Sequence, residues 1–162
     1  MLRLLGAGLI VCGAFAAREC TVGALRAKQR LRAELACALE GMAEEITLCM
    51  TPMPLLLRKH RTGCSSLFFA RICAGLDAGE TLGESWRAAA ARLNLPEEER
   101  EAVSEAAERL GGTSETVSAA LRLCAAALRR SHEKAASALP EEVRLTTALS
   151  LGACAVLLVL LF

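Results

Sequence analysis

The chain has no tyrosine, one tryptophan, two histidines and a single aspartate, so few of its side chains can exchange a proton near neutral pH. General acid and base catalysis depends on such groups, and Asp77 is the only aspartate that a Ser-His-Asp site could use. Prolines number only four and β-branched residues are scarce, while alanine and leucine are abundant, which favours helix almost throughout. We therefore expect an all-α protein that is not an enzyme.

Motifs for common nucleotide and hydrolytic sites are also missing. The chain contains no G-x-x-x-x-G-K-S/T phosphate loop, no G-x-S-x-G nucleophile turn and no H-E-x-x-H zinc motif. Its net charge is +1, with 19 basic and 18 acidic residues spread along the chain, whereas a nucleic-acid-binding surface needs a concentrated basic field. These absences predict no nucleic-acid partner, no small-molecule substrate and no cofactor.

Eight cysteines raise the question of a metal site, but no two of them form a C-x-x-C pair. His60, Cys64 and Cys73 are the best available ligand set, and it lacks the fourth ligand of a structural zinc site. The sequence therefore predicts no bound metal. The thiols are expected to act as small apolar side chains: Cys12 and Cys154 within apolar runs, and Cys37, Cys49 and Cys124 at or near core positions of helices.

Two uncharged runs occupy the ends of the chain. The run from Leu145 to Phe162 has 18 residues, which as a helix reach about 27 Å, close to the thickness of a bilayer's hydrocarbon core. The run from Leu4 to Ala17 is shorter. The pattern predicts transmembrane helices at residues 1–20 and 143–162 on either side of a domain at residues 21–142.

Basic residues indicate the orientation of this pair of helices. Five of them between Arg18 and Arg32 follow the first span, and Arg144 precedes the second, which predicts a cytoplasmic middle domain. Small residues also recur at helical spacing in both spans, which predicts close packing of the two helices. These residues are Gly8, Cys12 and Ala16 in the first span and Ala148, Gly152 and Ala155 in the second.

A secretory signal peptide is the alternative interpretation of the N-terminus. Arg3 would then be its basic region, and Ala14-Phe15-Ala16 its cleavage site. Cleavage would leave an exported helical binding module held by its C-terminal span. The helical pattern that continues from Arg18 to Cys49 favours an uncleaved helix, because cleavage sites are usually extended.

Helix signals divide the middle domain into five amphipathic helices, which we expect to form a compact bundle. The segment Leu55-Leu56-Leu57 is predicted as a turn, and Pro140 is predicted to separate the last of these helices from the C-terminal span. Thr81 and Glu84 have the spacing of a capping box. The predicted core positions are Leu31, Leu35, Leu39, Met42, Ile46 and Cys49; Phe68, Phe69, Ile72 and Leu76; Leu82, Trp86, Ala89 and Leu93; and Val117, Leu121, Cys124 and Leu128.

Charged residues concentrate in two stretches of the middle domain, one acidic and one basic. One interpretation is a solvated helix face together with topology signals. The other is that both stretches are contact surfaces for a partner protein, and the sequence leaves the two open. The residues that would form the contact surfaces are Glu98, Glu101 and Glu105 in the fourth helix and Arg58, Lys59 and Arg61 directly after the predicted turn Leu55-Leu56-Leu57.

Four segments together form a recognisable pattern. They are the opening Met1–Ala7, Glu45-Ile46 followed by Thr51-Pro52-Met53, the turn Leu110–Glu115 before a long helix, and the closing run Leu151–Phe162. With these segments the chain resembles the stage III sporulation protein AB family over essentially its whole length.

The resemblance implies a role in endospore formation, in the mother-cell membrane around the forespore. It implies a component of the channel that is assembled with a second membrane protein of the forespore. The helical domain of this family is similar to one domain of the inner-membrane platform protein of type II secretion and type IV pilus machines, which couples a cytoplasmic ATPase to the membrane assembly. The partner expected on this basis is the sporulation ATPase, stage III sporulation protein AA.

Overall fold

Helices account for almost all of the chain in the computed structural model, which describes the backbone of residues 2–161 and the side chains of residues 13, 16, 19–137, 148 and 152. No strand occurs in that part of the chain, so the predicted all-α class is confirmed. A single 3₁₀ turn, Gly63–Ser65, precedes the third helix. The helices are α1 (Leu2–Cys49), α2 (Met53–Lys59), α3 (Ser66–Asp77), α4 (Leu82–Ala91), α5 (Glu97–Arg109) and α6 (Ser114–Leu161).

Local sequence signals determine where most helices begin and end. Pro52 precedes α2 and Pro96 precedes α5, at positions where the N–H that proline lacks has no helical partner. The Thr81 hydroxyl accepts the Glu84 N–H at 3.3 Å, and the Glu84 carboxylate accepts the Thr81 N–H at 3.0 Å. The predicted capping box at the start of α4 is therefore confirmed. Gly79 ends the turn after α3 with φ +89, a conformation that suits glycine.

Two predictions about proline are wrong. The segment Leu55-Leu56-Leu57 is not a turn but part of α2, because Pro54 lies in the first helical turn, where proline is tolerated. Pro140 does not separate two helices, since α6 continues through it to Leu161. A proline inside a helix removes one hydrogen bond. Strong helix formers on both sides of Pro140, including Ala138, Leu139 and Glu141, favour continuation in spite of that loss.

The chain divides into two units, Lys28–Glu133 and, together, Met1–Ala27 and Lys134–Phe162. All the contacts discussed below belong to the first unit, which we call the bundle. Among the described residues, no helix is both long and apolar enough to cross a membrane. Almost all side chains of the two predicted transmembrane segments, residues 1–20 and 143–162, lie outside the described part of the chain.

The core of the bundle is built around three aromatic side chains. The rings of Phe68 and Trp86 meet edge to face with their centroids 5.0 Å apart, and Phe69 lies against Phe68 at 5.2 Å. The Trp86 Nε1–H donates to the carbonyl oxygen of Val103 at 2.8 Å. Helices α3, α4 and α5 are thereby joined through Trp86, whose side chain is fully buried.

The long helices contribute apolar stripes to this core. The predicted core positions of α1 and α6 are buried except for Leu31 and Cys49. Leu31 is half-buried, and so are the predicted core residues Leu76 of α3 and Leu82 of α4. Cys49 is exposed, because α1 ends there, beyond the elements that cover its apolar stripe.

Within the bundle, α1 and α6 run antiparallel. Arg122 Nη2 donates to Thr47 Oγ1 at 3.3 Å, and Arg129 forms an ion pair with Glu40. The two contacts are one heptad apart on each helix and in opposite chain order. Because of this arrangement, Lys28 and Glu133, the first and last residues of the bundle, lie at the same end of it.

Candidate partner-binding surfaces

The outer face of α5 carries an exposed row of four glutamates. Glu98, Glu101, Glu105 and Glu108 are spaced three, four and three residues apart, which aligns them on one side of the helix over about 15 Å. None of the four forms an ion pair or a side-chain hydrogen bond with another described residue. We call this row the acidic stripe. It contains the three glutamates predicted from the sequence as partner contacts.

Glu99, in the same acidic cluster, is buried instead of solvated. The Arg32 Nε–H of α1 donates to both of its carboxylate oxygens, at 3.0 and 2.8 Å, across 67 residues of sequence. Arg32, which the sequence analysis took as a topology signal, is also buried. The spacing along each helix is the sequence signal for this pair. Glu99 shares a helix face with Val103 and Ala106, and Arg32 shares a helix face with Leu35 and Leu39, so both charges lie among apolar residues.

This ion pair belongs to the buried face of α5. Glu99 lies on the same side of the helix as Val103 and Ala106, which are also buried. The acidic stripe is exposed because it lies on the opposite side of the helix. Glu97 and Arg100, which pair with each other, lie beside the stripe.

The predicted basic stretch, Arg58, Lys59 and Arg61, lies at the end of α2, and we call it the basic segment. Lys59 Nζ donates to Glu45 Oε1 of α1 at 2.7 Å. This hydrogen bond holds the pKa of Glu45 below its usual range. Arg58 lies 3.8 Å from Asp77, with both side chains about two-thirds exposed. Arg61 is exposed and pairs with no described residue, so Arg58 and Arg61 are the cations available to a partner.

His60 within this stretch has a packing role. Its ring lies against Gly41 of α1, where an added Cβ would be 3.3 Å from the ring atom Cε1. Its Nε2 is 3.8 Å from Glu45 Oε1, and no described residue hydrogen-bonds to it. Burial lowers the pKa of His60, although the charge of Glu45 opposes this shift. The imidazole is therefore neutral at pH 7, and it helps to hold α2 against α1.

The connection between α1 and α2 exposes three large apolar side chains. Leu48, Met50 and Leu55 are 81%, 80% and 59% exposed, and we call them the apolar corner. Met50 has φ 50, a left-handed conformation that costs an L-residue about 1 kcal/mol. The sequence pattern does not indicate this surface, because the prolines between α1 and α2 predict only an interruption of the helix.

A groove of about 200 Å³ lies between α5 and α6. Ala102, Ala106 and Ala127 leave it open because their side chains are small, and Leu123, more than half exposed, forms part of its wall. Glu105 lines it as well, so the groove borders the acidic stripe.

The burial of the cysteines agrees only in part with the prediction. Cys124 is buried as predicted, and burial raises its pKa to about 12. Cys37 and Cys49 are exposed, so the prediction of core positions for them is wrong. Cys37 lies two residues after Leu35, which turns it away from the buried stripe of α1. Among the described residues, no three His, Cys, Asp or Glu side chains are arranged to hold a metal.

Half of the predicted transmembrane packing residues lie outside the described side chains. This applies to Gly8, Cys12 and Ala155. Ala16, Ala148 and Gly152 are exposed, and a Cβ added at Gly152 would meet nothing within 4 Å. Close packing of the two spans through these residues stays a prediction.

The structure does not bring the two predicted partner surfaces together. The basic segment belongs to α2, which packs on α3, and the acidic stripe belongs to α5, which packs on α4. No ion pair between described residues joins α2 to α5. The bundle therefore presents two separate charged surfaces of opposite sign.

Comparison with protein families gives a match over nearly the whole chain. The family described as stage III sporulation protein AB matches residues 3–162. No curated protein matches the chain significantly. No solved structure matches it significantly either.

Proposed function

Since the chain belongs to the stage III sporulation protein AB family, and thereby to stage III of sporulation, we propose that it is a non-enzymatic platform subunit of a channel between mother cell and forespore. In this role it couples a cytoplasmic ATPase to the membrane assembly. The acidic stripe is the observation that carries the proposal, because four aligned glutamates without described partners are suited to binding a protein rather than to supporting the fold.

The proposed platform is anchored by a membrane hairpin. Residues 1–20 and 143–162 form its two spans, and residues 21–142 form a cytoplasmic helical domain on the mother-cell membrane around the forespore. Two observations support this arrangement. The run Leu145–Phe162 is uncharged over 18 residues, and the antiparallel course of α1 and α6 leaves Lys28 and Glu133 at one end of the bundle.

The proposed partner is the sporulation ATPase, stage III sporulation protein AA, together with other channel subunits. The resemblance to the platform proteins of secretion and pilus machines supports an ATPase as the partner. The charge pattern supports a contact through Glu98, Glu101 and Glu105, because these carboxylates are available to cations of another protein.

Co-purification tests the ATPase contact. The full chain in a mild detergent is mixed with the ATPase, with and without ATP, and the bound fraction is measured. The triple variant E98K/E101K/E105K should lose binding, because three favourable contacts become repulsive. The control E44K/E115K/E133K makes the same change in net charge at exposed positions on α1 and α6 and should bind normally. Unchanged binding by the first variant, with helicity intact, would reject the stripe as the contact.

Labelling of native cysteines tests the topology. Cys37, Cys49 and Cys64 are exposed in the bundle. In non-sporulating cells that produce the chain, the membrane it enters faces the medium, so a membrane-impermeant maleimide should label these cysteines only after the cells are opened. Labelling in intact protoplasts of these cells would contradict a cytoplasmic bundle. The mass of the mature chain provides a second readout, because cleavage after Ala16 would remove the first span and support the exported module.

A further inference from the structure

We propose that copies of this chain associate head to tail, with the apolar corner and basic segment of one copy seated on the acidic stripe and the α5–α6 groove of the next. This association does not require the ATPase, although it uses the same acidic stripe, and it joins two different surfaces of the bundle. It is therefore a heterologous contact, which continues into a row or a ring of copies.

The apolar corner provides the projecting half of the contact. Leu48, Met50 and Leu55 account for three of the five large apolar side chains that the described part of the chain exposes. Their concentration within eight residues is unlike the scattered apolar residues of ordinary surfaces. Met50 is in addition held in a strained left-handed conformation, a feature that often accompanies functional sites.

The α5–α6 groove provides the receiving half. Its alanines leave a cavity of about 200 Å³ with an apolar floor, and the exposed Leu123 gives it an apolar wall. A leucine or methionine side chain of a second copy would cover this apolar surface. The groove and the corner therefore both offer apolar surface that association would bury.

Charge complementarity identifies the occupant as a second copy. Arg58 lies one turn from Leu55 on α2, and Arg61 follows, so the corner carries cations at its edge. Glu105 lines the groove, and Glu101 lies one turn before Glu105 on the acidic stripe. Within one chain Arg61, Glu101 and Glu105 have no described ion-pair partner. Arg58 has only the exposed 3.8 Å pair with Asp77, which a second copy could replace.

The remaining charges near the groove agree with this orientation. Arg109 and Arg130 also line it, and the exposed Glu44, one turn before Leu48, gives the docking copy a carboxylate to pair with one of them. A symmetric contact of stripe with stripe, in contrast, would place like charges opposite each other. The same stripe serves the ATPase in the proposed function, so within a row only the terminal copy would have its stripe available.

The contact is expected to be weak in dilute solution. A seven-residue helix and a corner bury less surface than a standard stable interface. Confinement of the chains to one membrane would raise their effective concentration and favour association.

A charge exchange tests the pairing. The full chain in a mild detergent is studied by sedimentation velocity over a range of concentrations. The variants R58E/R61E and E101K/E105K should each associate about tenfold more weakly than the unaltered chain, because one surface of each repels its counterpart. Mixed together, they should associate again, since the acidic corner of one fits the basic stripe of the other. An unaltered chain that stays monomeric at the highest concentration studied, or a mixture that fails to associate there, overturns the proposal.

Two further variants separate association from folding. Met50→Gly should raise the melting temperature, because glycine adopts the left-handed conformation without strain, and should weaken association by removing an apolar contact. Leu55→Asp should abolish association, whereas the control Leu67→Asp alters an equally exposed leucine on α3 and should leave it unchanged. Unchanged association of both Met50→Gly and Leu55→Asp would remove the corner from the interface.

Discussion

Replacing Glu99 by glutamine should lower the free energy of unfolding of the bundle by about 3 kcal/mol. The glutamine keeps the volume of the side chain but leaves the Arg32 guanidinium without a counter-charge. Both side chains are at most one-tenth exposed, and both carboxylate oxygens accept from Arg32 Nε within 3.0 Å. Loss of one partner of such a buried pair costs more than the pair contributes, because the remaining charge stays desolvated.

Trp86 provides the measurement. It is the single tryptophan and is fully buried, so its fluorescence reports the unfolding of the bundle in urea. The matched control is Asp77→Asn, which removes the exposed 3.8 Å pair with Arg58 and should change stability by less than about 0.5 kcal/mol. Equal stability of the Glu99 variant and the unaltered chain would refute the description of the pair as buried and essential to the packing of α5.

A double replacement distinguishes the charge from the packing. Arg32→Met with Glu99→Leu removes both charges and keeps apolar volume at the interface of α1 and α5. We expect the double variant to be much more stable than the single Glu99 variant, because no unpaired charge remains. A double variant as unstable as the single one would show that the hydrogen-bonded geometry, rather than charge pairing, holds the helices together.

Thr81→Ala removes the cap of α4 and should lower the free energy of unfolding by about 1 kcal/mol in urea. Gly63→Ala should cost more than about 1 kcal/mol, because φ is +66 there and the new Cβ would collide with the Glu34 carboxylate; a negligible loss would contradict this geometry. Burial lowers the pKa of His60, so the stability from keeping it neutral is present above its unfolded pKa of about 6.5 and is lost as the pH falls through the folded pKa; unfolding curves of His60→Gln should lack this loss. Because burial raises the pKa of Cys124 to about 12, a thiol reagent should label the exposed cysteines and spare Cys124 until the chain unfolds, as mass spectrometry will determine.

Helix boundaries were predictable wherever the signal is local. The Thr81 capping box is encoded within four residues, and it occurs as predicted. The glycine turn after Asp77 and the acidic first turn of α5 are local signals of the same kind. The proline errors also have a local cause. The turn predicted at Leu55-Leu56-Leu57 and the break predicted at Pro140 are both wrong, because proline ends a helix only when its missing hydrogen bond and its ring are not compensated by the surrounding turn.

The candidate surfaces were only partly predictable. Glu98, Glu101 and Glu105 were singled out from composition alone, and they are exposed. The exposed apolar corner was missed, since exposure of Leu48 and Leu55 depends on where the surrounding helices end. Lys59 was grouped with Arg58 and Arg61, yet its ammonium group binds Glu45 of α1. No pattern within the basic stretch distinguishes it from its neighbours.

By itself the sequence determined the helical class, the positions of most breaks and the apolar faces of α1, α3, α4 and α6, because these follow from propensity and from spacing within a few turns. Only the tertiary structure decided which charges are paired and which are exposed. Arg32 and Glu99 are 67 residues apart, and their contact depends on how α5 is oriented against α1. Whether a glutamate stabilises the fold or remains available to a partner is fixed by its neighbours in space, which periodicity along a single helix does not specify.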